Sequence, residues 1–354
     1  MTSYKTIYQA QQFPVFQNLM FCSKEEAENC SKGDIELVQD LETGLVFNQA
    51  FNSDLMDYNA DYQNEQAVSS TFRQHLQNVS QIIQKHFASY SLIEVGCGKG
   101  HFLEYLKNLG FNIVGIDPTY DGENASIIKQ YFSPEIGIGA DGIILRHVLE
   151  HVEAPIEFLS TIRDSNGGGG KIYIEVPCFK WICDHCAWFD IFYEHVNYFQ
   201  IEDFYRMFGV VYESGYLFGG QYLYVIADIS TVRLPKFNKL DQIELPENFL
   251  SSVNQYVNIL KGQCEKGFVI WGGASKGVIF SLFMQRAGIK IDTVIDINPA
   301  KHDKYLAGTG LLVQSPTDAL KNISPSTNIF VMNSNYLSEI IGLTDNKFNY
   351  LTVD

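Results

Sequence analysis

The sequence predicts an α/β protein with two units of the type strand, glycine turn, helix, the second smaller than the first, behind an N-terminal cap segment. Three observations carry this. A glycine-rich turn at 94–100 follows a short apolar run and precedes helical spacing. Strand-like and helix-like patterns then alternate as far as 227, and at 267–277 the opening pattern starts afresh.

Residues 1–75 are polar and aromatic, with turn-rich stretches such as Phe51-Asn52-Ser53-Asp54, and show little sustained period, so they are assigned as a cap. Leu76, Val79, Ile82, Ile83 and Phe87 fall at helical spacing, and 91–95 reads as a short buried strand. The glycine turn leads to a helix over 102–109 and a second strand at 112–117, which makes a βαβ unit with a parallel sheet. Further strands are expected at 142–145, 171–176 and 221–227, with a helix at 155–163. The Pro-bounded stretch 231–247 reads as a linker. A helix over 249–261 precedes the second unit, whose next strand is 293–296. The expected domains are therefore a cap at 1–75, a central domain at 76–230 and a C-terminal domain at 248–354.

A chain of 354 residues suits two domains, and 46% hydrophobic with 19% charged residues excludes disorder. The net charge of −16 removes the attraction that nucleic acid or an anionic membrane surface needs. No stretch reaches the roughly 18 apolar residues of a membrane span, and the first ten residues lack a signal-peptide core. The expectation is a soluble cytoplasmic protein, monomer or homodimer, acting on a small molecule. Cys22, Cys30, Cys97, Cys178, Cys183, Cys186 and Cys264 are an odd, scattered set and are assigned as thiols.

In Glu94-Val95-Gly96-Cys97-Gly98-Lys99-Gly100 the missing side chains let a ligand reach the backbone at a helix N-terminus. His101 stands where the dinucleotide fingerprint needs its third glycine. The spacing resembles motif I of class I S-adenosylmethionine-dependent methyltransferases, a Rossmann-like fold. That resemblance implies S-adenosylmethionine as cofactor, with Glu94, Gly96, Cys97, Gly98, Gly100 and Arg146 around it. Asp117, ending the second strand, would accept hydrogen bonds from the ribose hydroxyls.

Other constellations have several readings. His147-Val148-Leu149-Glu150-His151 fits H-x-x-E-H, with both histidines on one helical face, as zinc ligands, as structural histidines, or as lining of a cleft after the strand 142–145. Cys183-Asp184-His185-Cys186 is a lone C-x-x-C and reads as thiols more readily than as zinc ligands. In Trp188 to Phe199 the pair Glu194-His195 lies in a dense aromatic patch that excludes water and shifts an imidazole, which makes His195 the candidate base.

These features, with Phe218-Gly219-Gly220-Gln221, the turn Trp271 to Gly277 and Asp296-Ile297-Asn298-Pro299, resemble the sugar C-methyltransferases of deoxysugar biosynthesis from about Phe13 onward. The resemblance implies a nucleotide-linked 4-keto sugar as substrate and His195 as the base that deprotonates the carbon beside the ketone. Glu194 would orient His195, Tyr193, Tyr58 or Tyr62 would donate to the enolate oxygen, His147 would line the site, and Lys276 would meet a phosphate. The sequence departs from that family at Cys22 and Cys30, which lack the partners of a zinc module, so no metal is expected; it departs again at Phe192 and Phe218. The alternatives are O- or N-methylation of another metabolite, a nicotinamide-dependent oxidoreductase, and a non-catalytic cofactor-binding module.

Overall fold

The computed structural model describes residues 4–56, 66–261, 268–325 and 327–354. The central domain is a seven-stranded sheet in the order Val211–Leu217, Tyr222–Asp228, Lys171–Pro177, Gly142–Arg146, Ser91–Val95, Asn112–Ile116, Ile127–Ile128. The strands from Lys171–Pro177 to Ile127–Ile128 are parallel, and Tyr222–Asp228 runs antiparallel to both its neighbours. Continuous apolar runs in the middle strands reflect burial on both faces. The helices Ser70–Phe87 and His101–Asn108 pack Val79, Ile83, Leu103 and Leu106 on one face. Leu159 and Ile162 of the helix Pro155–Ser165 cover Ile143, Leu145 and Ile174 on the other. The chain order reverses between Ser91–Val95 and Gly142–Arg146, so a crevice opens at their carboxyl ends.

The C-terminal domain repeats the plan with five parallel strands in the order Val313–Gln314, Thr293–Ile295, Val269–Trp271, Asn328–Val331, Asn349–Thr352. Its reversal lies between Val269–Trp271 and Asn328–Val331.

The N-terminal segment is more ordered than its sequence pattern predicts. Tyr4–Pro14, Lys32–Asp40 and Val46–Asn48 form an antiparallel sheet whose fourth strand, Asn197–Tyr198, comes from the central domain. Register shifts between Thr6 and Tyr8 and between Ala10 and Phe13 break the two-residue alternation that would have revealed the first strand. Met20–Phe21 pairs with Tyr305–Leu306 of the C-terminal domain, so this segment joins both units.

Candidate active site

The two crevices face one cleft of about 430 Å³, lined by Gly96, Gly98 and His147 on one side and by Gly272, Lys276 and Met332 on the other. At its floor the turn places Gly96 at φ 73°, a left-handed conformation, and a Cβ there would stand 2.4 Å from Val148. Gly98, at φ 53°, has open space where a Cβ would be, so its backbone is accessible to a ligand. Asp117 accepts from the Gly98 amide at 2.7 Å through Oδ2 and from the Thr119 amide and hydroxyl through Oδ1. Gly100 begins the following helix. Cys97 turns its sulfur toward the strand at Gly115, and burial keeps it a neutral thiol.

Glu94 is 3% exposed and its Oε2 has no hydrogen-bond partner, although it lines the cleft. Burial pushes its carboxyl up to about 7; Arg146 opposes the rise, while Asp117 and Glu175 add to it. An orphaned acceptor beside an accessible glycine backbone fits a cofactor that brings hydrogen-bond donors.

Arg146 lines the cleft, and its guanidinium is held in place by Glu175. Its Nε and Nη2 donate to Glu175 at 3.2 and 3.3 Å while its guanidinium lies 4.5 Å over Phe102. Glu175 is fully buried and also receives Tyr173 Oη at 2.7 Å, with His75 Nε2 at 2.8 Å and His147 Nε2 at 3.1 Å. Burial opposes its charge, but Arg146 and the two histidines hold its carboxyl well below the usual range. His147, at φ 51°, also places Nδ1 3.4 Å from Glu150. Burial again opposes its charge, yet Glu150 and Glu175 raise it to about 9, so it is cationic at neutral pH.

H-x-x-E-H does not form the helical face its spacing predicts. The left-handed His147 is followed by a single 3₁₀ turn, Leu149–His151, and the two histidines part company. His147 joins His75 and Glu175, whereas His151 joins Glu150 and His195. His195 lies in the cleft with its ring centroid 4.9 Å from Phe192 and 5.0 Å from His151. Burial and the neighbouring His151 push it down to about 3, and Glu150 offsets this only in part, so the ring is a free base at neutral pH.

The expected partners of His195 are placed differently. Glu194 Oε1 accepts from the Gln17 amide at 2.7 Å, and the Glu194 carbonyl accepts from His151 Nδ1 at 2.8 Å. Tyr193 is not brought to the cleft: its ring covers Gly33 and its hydroxyl bonds the Asn52 backbone, because a fully buried phenol needs a partner there. Tyr58 and Tyr62 lie outside the described residues. Lys276 does line the cleft, but its Nζ is 3.2 Å from Asp190 and from Gln221 Oε1 and 4.6 Å over Trp181, so its charge is already matched. In the C-terminal domain Asp296 accepts from Gly273 at 2.9 Å, as Asp117 does from Gly98, but Lys301 Nζ is 3.2 Å from the same carboxylate.

Residues 62–209 match the family model described as a methyltransferase domain. The glycine turn, the strand order and Asp117 agree with that match. The central domain thus carries a methyltransferase domain. Solved structures similar to this methyltransferase include a protein of Pyrococcus horikoshii at 12% identity, covering 49% of this chain and 99% of that chain with a TM-score of 0.36. A methyltransferase of Archaeoglobus fulgidus, described as SAM-dependent, shares 20% identity over 45% of this chain and 95% of that chain, with a TM-score of 0.36. A Burkholderia thailandensis 1,6-didemethyltoxoflavin N1-methyltransferase shares 13% identity over 52% of this chain and 95% of that chain, with a TM-score of 0.34. No curated protein matches the sequence.

His75 and Glu175 were absent from the sequence-based site, and Glu150 and His151 entered it only as members of H-x-x-E-H. Glu175 carried a usable signal, an acid inside the apolar run 171–176, where an ionised group needs buried partners.

Proposed function

We propose that this methyltransferase acts on a carbon beside a carbonyl of a small molecule, a nucleotide-linked 4-keto deoxysugar, with His195 as the base. One observation carries the reading: a desolvated, unprotonated imidazole stands in the same cleft as the glycine turn, beside a histidine held cationic. Environments that push neighbouring groups apart in this way separate acid and base roles. The bound cofactor supplies an electrophilic methyl group. Glu94 and the Gly96 and Gly98 backbone would hold it, with Asp117 behind the turn. His195 takes the proton from the carbon next to the ketone, and the electron pair of the broken C–H bond delocalises onto the carbonyl oxygen. The C-terminal crevice, with its own glycine turn at the other wall, supports a substrate that carries a nucleotide.

A second reading, O- or N-methylation, is favoured by the low basicity of His195, since a ready nucleophile needs mainly proximity. The test is incubation with S-adenosylmethionine and a panel of nucleotide-linked 4-keto sugars, with mass spectrometry to locate an added methyl group. A methyl on the carbon beside the ketone bears the proposal out; a methyl on oxygen or nitrogen overturns it in favour of the second reading.

A further inference from the structure

We propose that Glu150, and not Glu194, is the positioning residue of the base: its buried carboxylate receives the imidazolium of His195 once that ring has taken the substrate proton. This rests on the reading of His195 given above.

Glu150, His151 and His195 each bring a nitrogen or carboxylate oxygen within 4.8 Å of the others. Glu150 is 2% exposed; His147 lies 3.4 Å from its Oε1, and its Oε2 makes no hydrogen bond. A buried carboxylate oxygen left without a partner is costly, so it is retained where a partner arrives during the reaction. Glu194, adjacent in sequence to His195, instead fixes the N-terminal segment through the Gln17 amide.

The charges around the ring argue the same way. Protonated His195 meets His151 and His147, which oppose the new charge, and Glu150 is the carboxylate among the groups that act on it. Glu150 is in turn ionised: burial opposes its charge, but the hydrogen bond with His147, and His151 beside it, hold it below the usual carboxylate range. The bond from His151 Nδ1 to the Glu194 carbonyl places a ring proton on Nδ1 and fixes the orientation of that ring beside His195. The proton therefore moves from carbon to His195 and the C–H electron pair onto the carbonyl oxygen; the imidazolium is held by Glu150 while that pair returns to form the bond from carbon to the methyl group, the pair of the broken methyl–sulfur bond staying on the sulfur of S-adenosylhomocysteine, and the proton then leaves through the open cleft to water.

The test uses the full chain with S-adenosylhomocysteine, which allows deprotonation without methyl transfer, and follows exchange of the hydrogen beside the ketone in deuterium oxide. Nucleotide-linked 4-keto sugars are the probes. Glu150→Gln is expected to slow exchange on the order of 100-fold with KM and S-adenosylhomocysteine affinity unchanged, and Glu150→Asp to recover about tenfold of the loss. Glu194→Gln should exchange near the wild-type rate. Wild-type exchange in Glu150→Gln, or a loss confined to Glu194→Gln, overturns the proposal. If Glu150→Gln fails to fold, Glu150→Asp decides alone: a KM change with unaltered turnover overturns it. One divalent ion per purified chain, lost in the Glu150 variants, would also overturn it by making the three groups metal ligands. No exchange in the wild type refutes the base reading itself.

Discussion

Burial leaves Glu94 titrating near neutrality, and this has a measurable sign. Its carboxyl is raised from 4.5 to about 7, so the folded chain binds a proton that the unfolded chain has released. The stabilisation is complete below about 4.5 and is lost as pH rises through about 7, a swing of up to about 3 kcal/mol. Denaturant melts at about pH 5 and about pH 8 should show this fall in wild type and a flatter response in Glu94→Gln; equal slopes would refute it. His147 is raised as well, from 6.5 to about 9, but as a cation. Its contribution is complete below 6.5 and is lost as pH rises through about 9, so His147→Gln should lack the alkaline loss of melting temperature seen in wild type. For the proposed base, His195→Ala should lose at least about 100-fold in C-methylation with S-adenosylhomocysteine affinity intact. Near-full activity in that variant would move the reading to O- or N-methylation.

Among the elements, those with one dominant pattern were legible in the sequence. The run Leu92-Ile93-Glu94-Val95, the glycines behind it and the spaced Phe102, Leu103 and Leu106 report a strand, a turn and a helix, because each owes its form to its own residues. The N-terminal sheet was not legible, since Tyr4–Pro14 takes its register from Lys32–Asp40 and its bulges erase the alternation. Nor was the site around His195: helical spacing in H-x-x-E-H was overruled by the left-handed His147, and the role of Glu194 was set by the distant Gln17. Helix Ser70–Phe87 shows the same reliance on distant partners. Its Ser69 cap bonds the Phe72 amide, while Glu339 from the C-terminal domain accepts from the Ser69 hydroxyl and from the Ser70 and Thr71 amides. A carboxylate at a helix N-terminus contributes about 1 kcal/mol. Glu339→Ala should therefore speed hydrogen exchange in the first turn of this helix while leaving its last turn unchanged; uniform protection would refute the clamp.

At the scale of the whole molecule, Lys276 joins the C-terminal domain to the central one, and it does so from inside. Burial raises the Asp190 carboxyl, and Lys276 restrains that rise. Gln221, which accepts from Lys276, also donates to Asn333 and Asp354, so the contact is a network. Removing one partner of a buried pair costs about 3–5 kcal/mol, whereas an apolar pair of similar volume is often neutral. Lys276→Ala should lower the melting temperature clearly, and Lys276→Met with Asp190→Leu should restore most of it; an additive loss in the double variant would show that the pair is not what couples the domains. The strand pairings of the N-terminal segment carry a further consequence, for the order in which the molecule assembles. Residues near 20 and 47 leave the ribosome early, yet their partners, Tyr305–Leu306 and Asn197–Tyr198, are made much later. Contacts that distant close slowly, because chain entropy is lost before they form. The glycine turn, its sheet and the N-terminal sheet that flanks His195 are all complete in sequence by residue 228, whereas the facing wall of the cleft, with Gly272, Lys276 and Met332, is made later. A nascent chain on this plan completes the wall that carries the glycine turn and His195 before the wall that faces it.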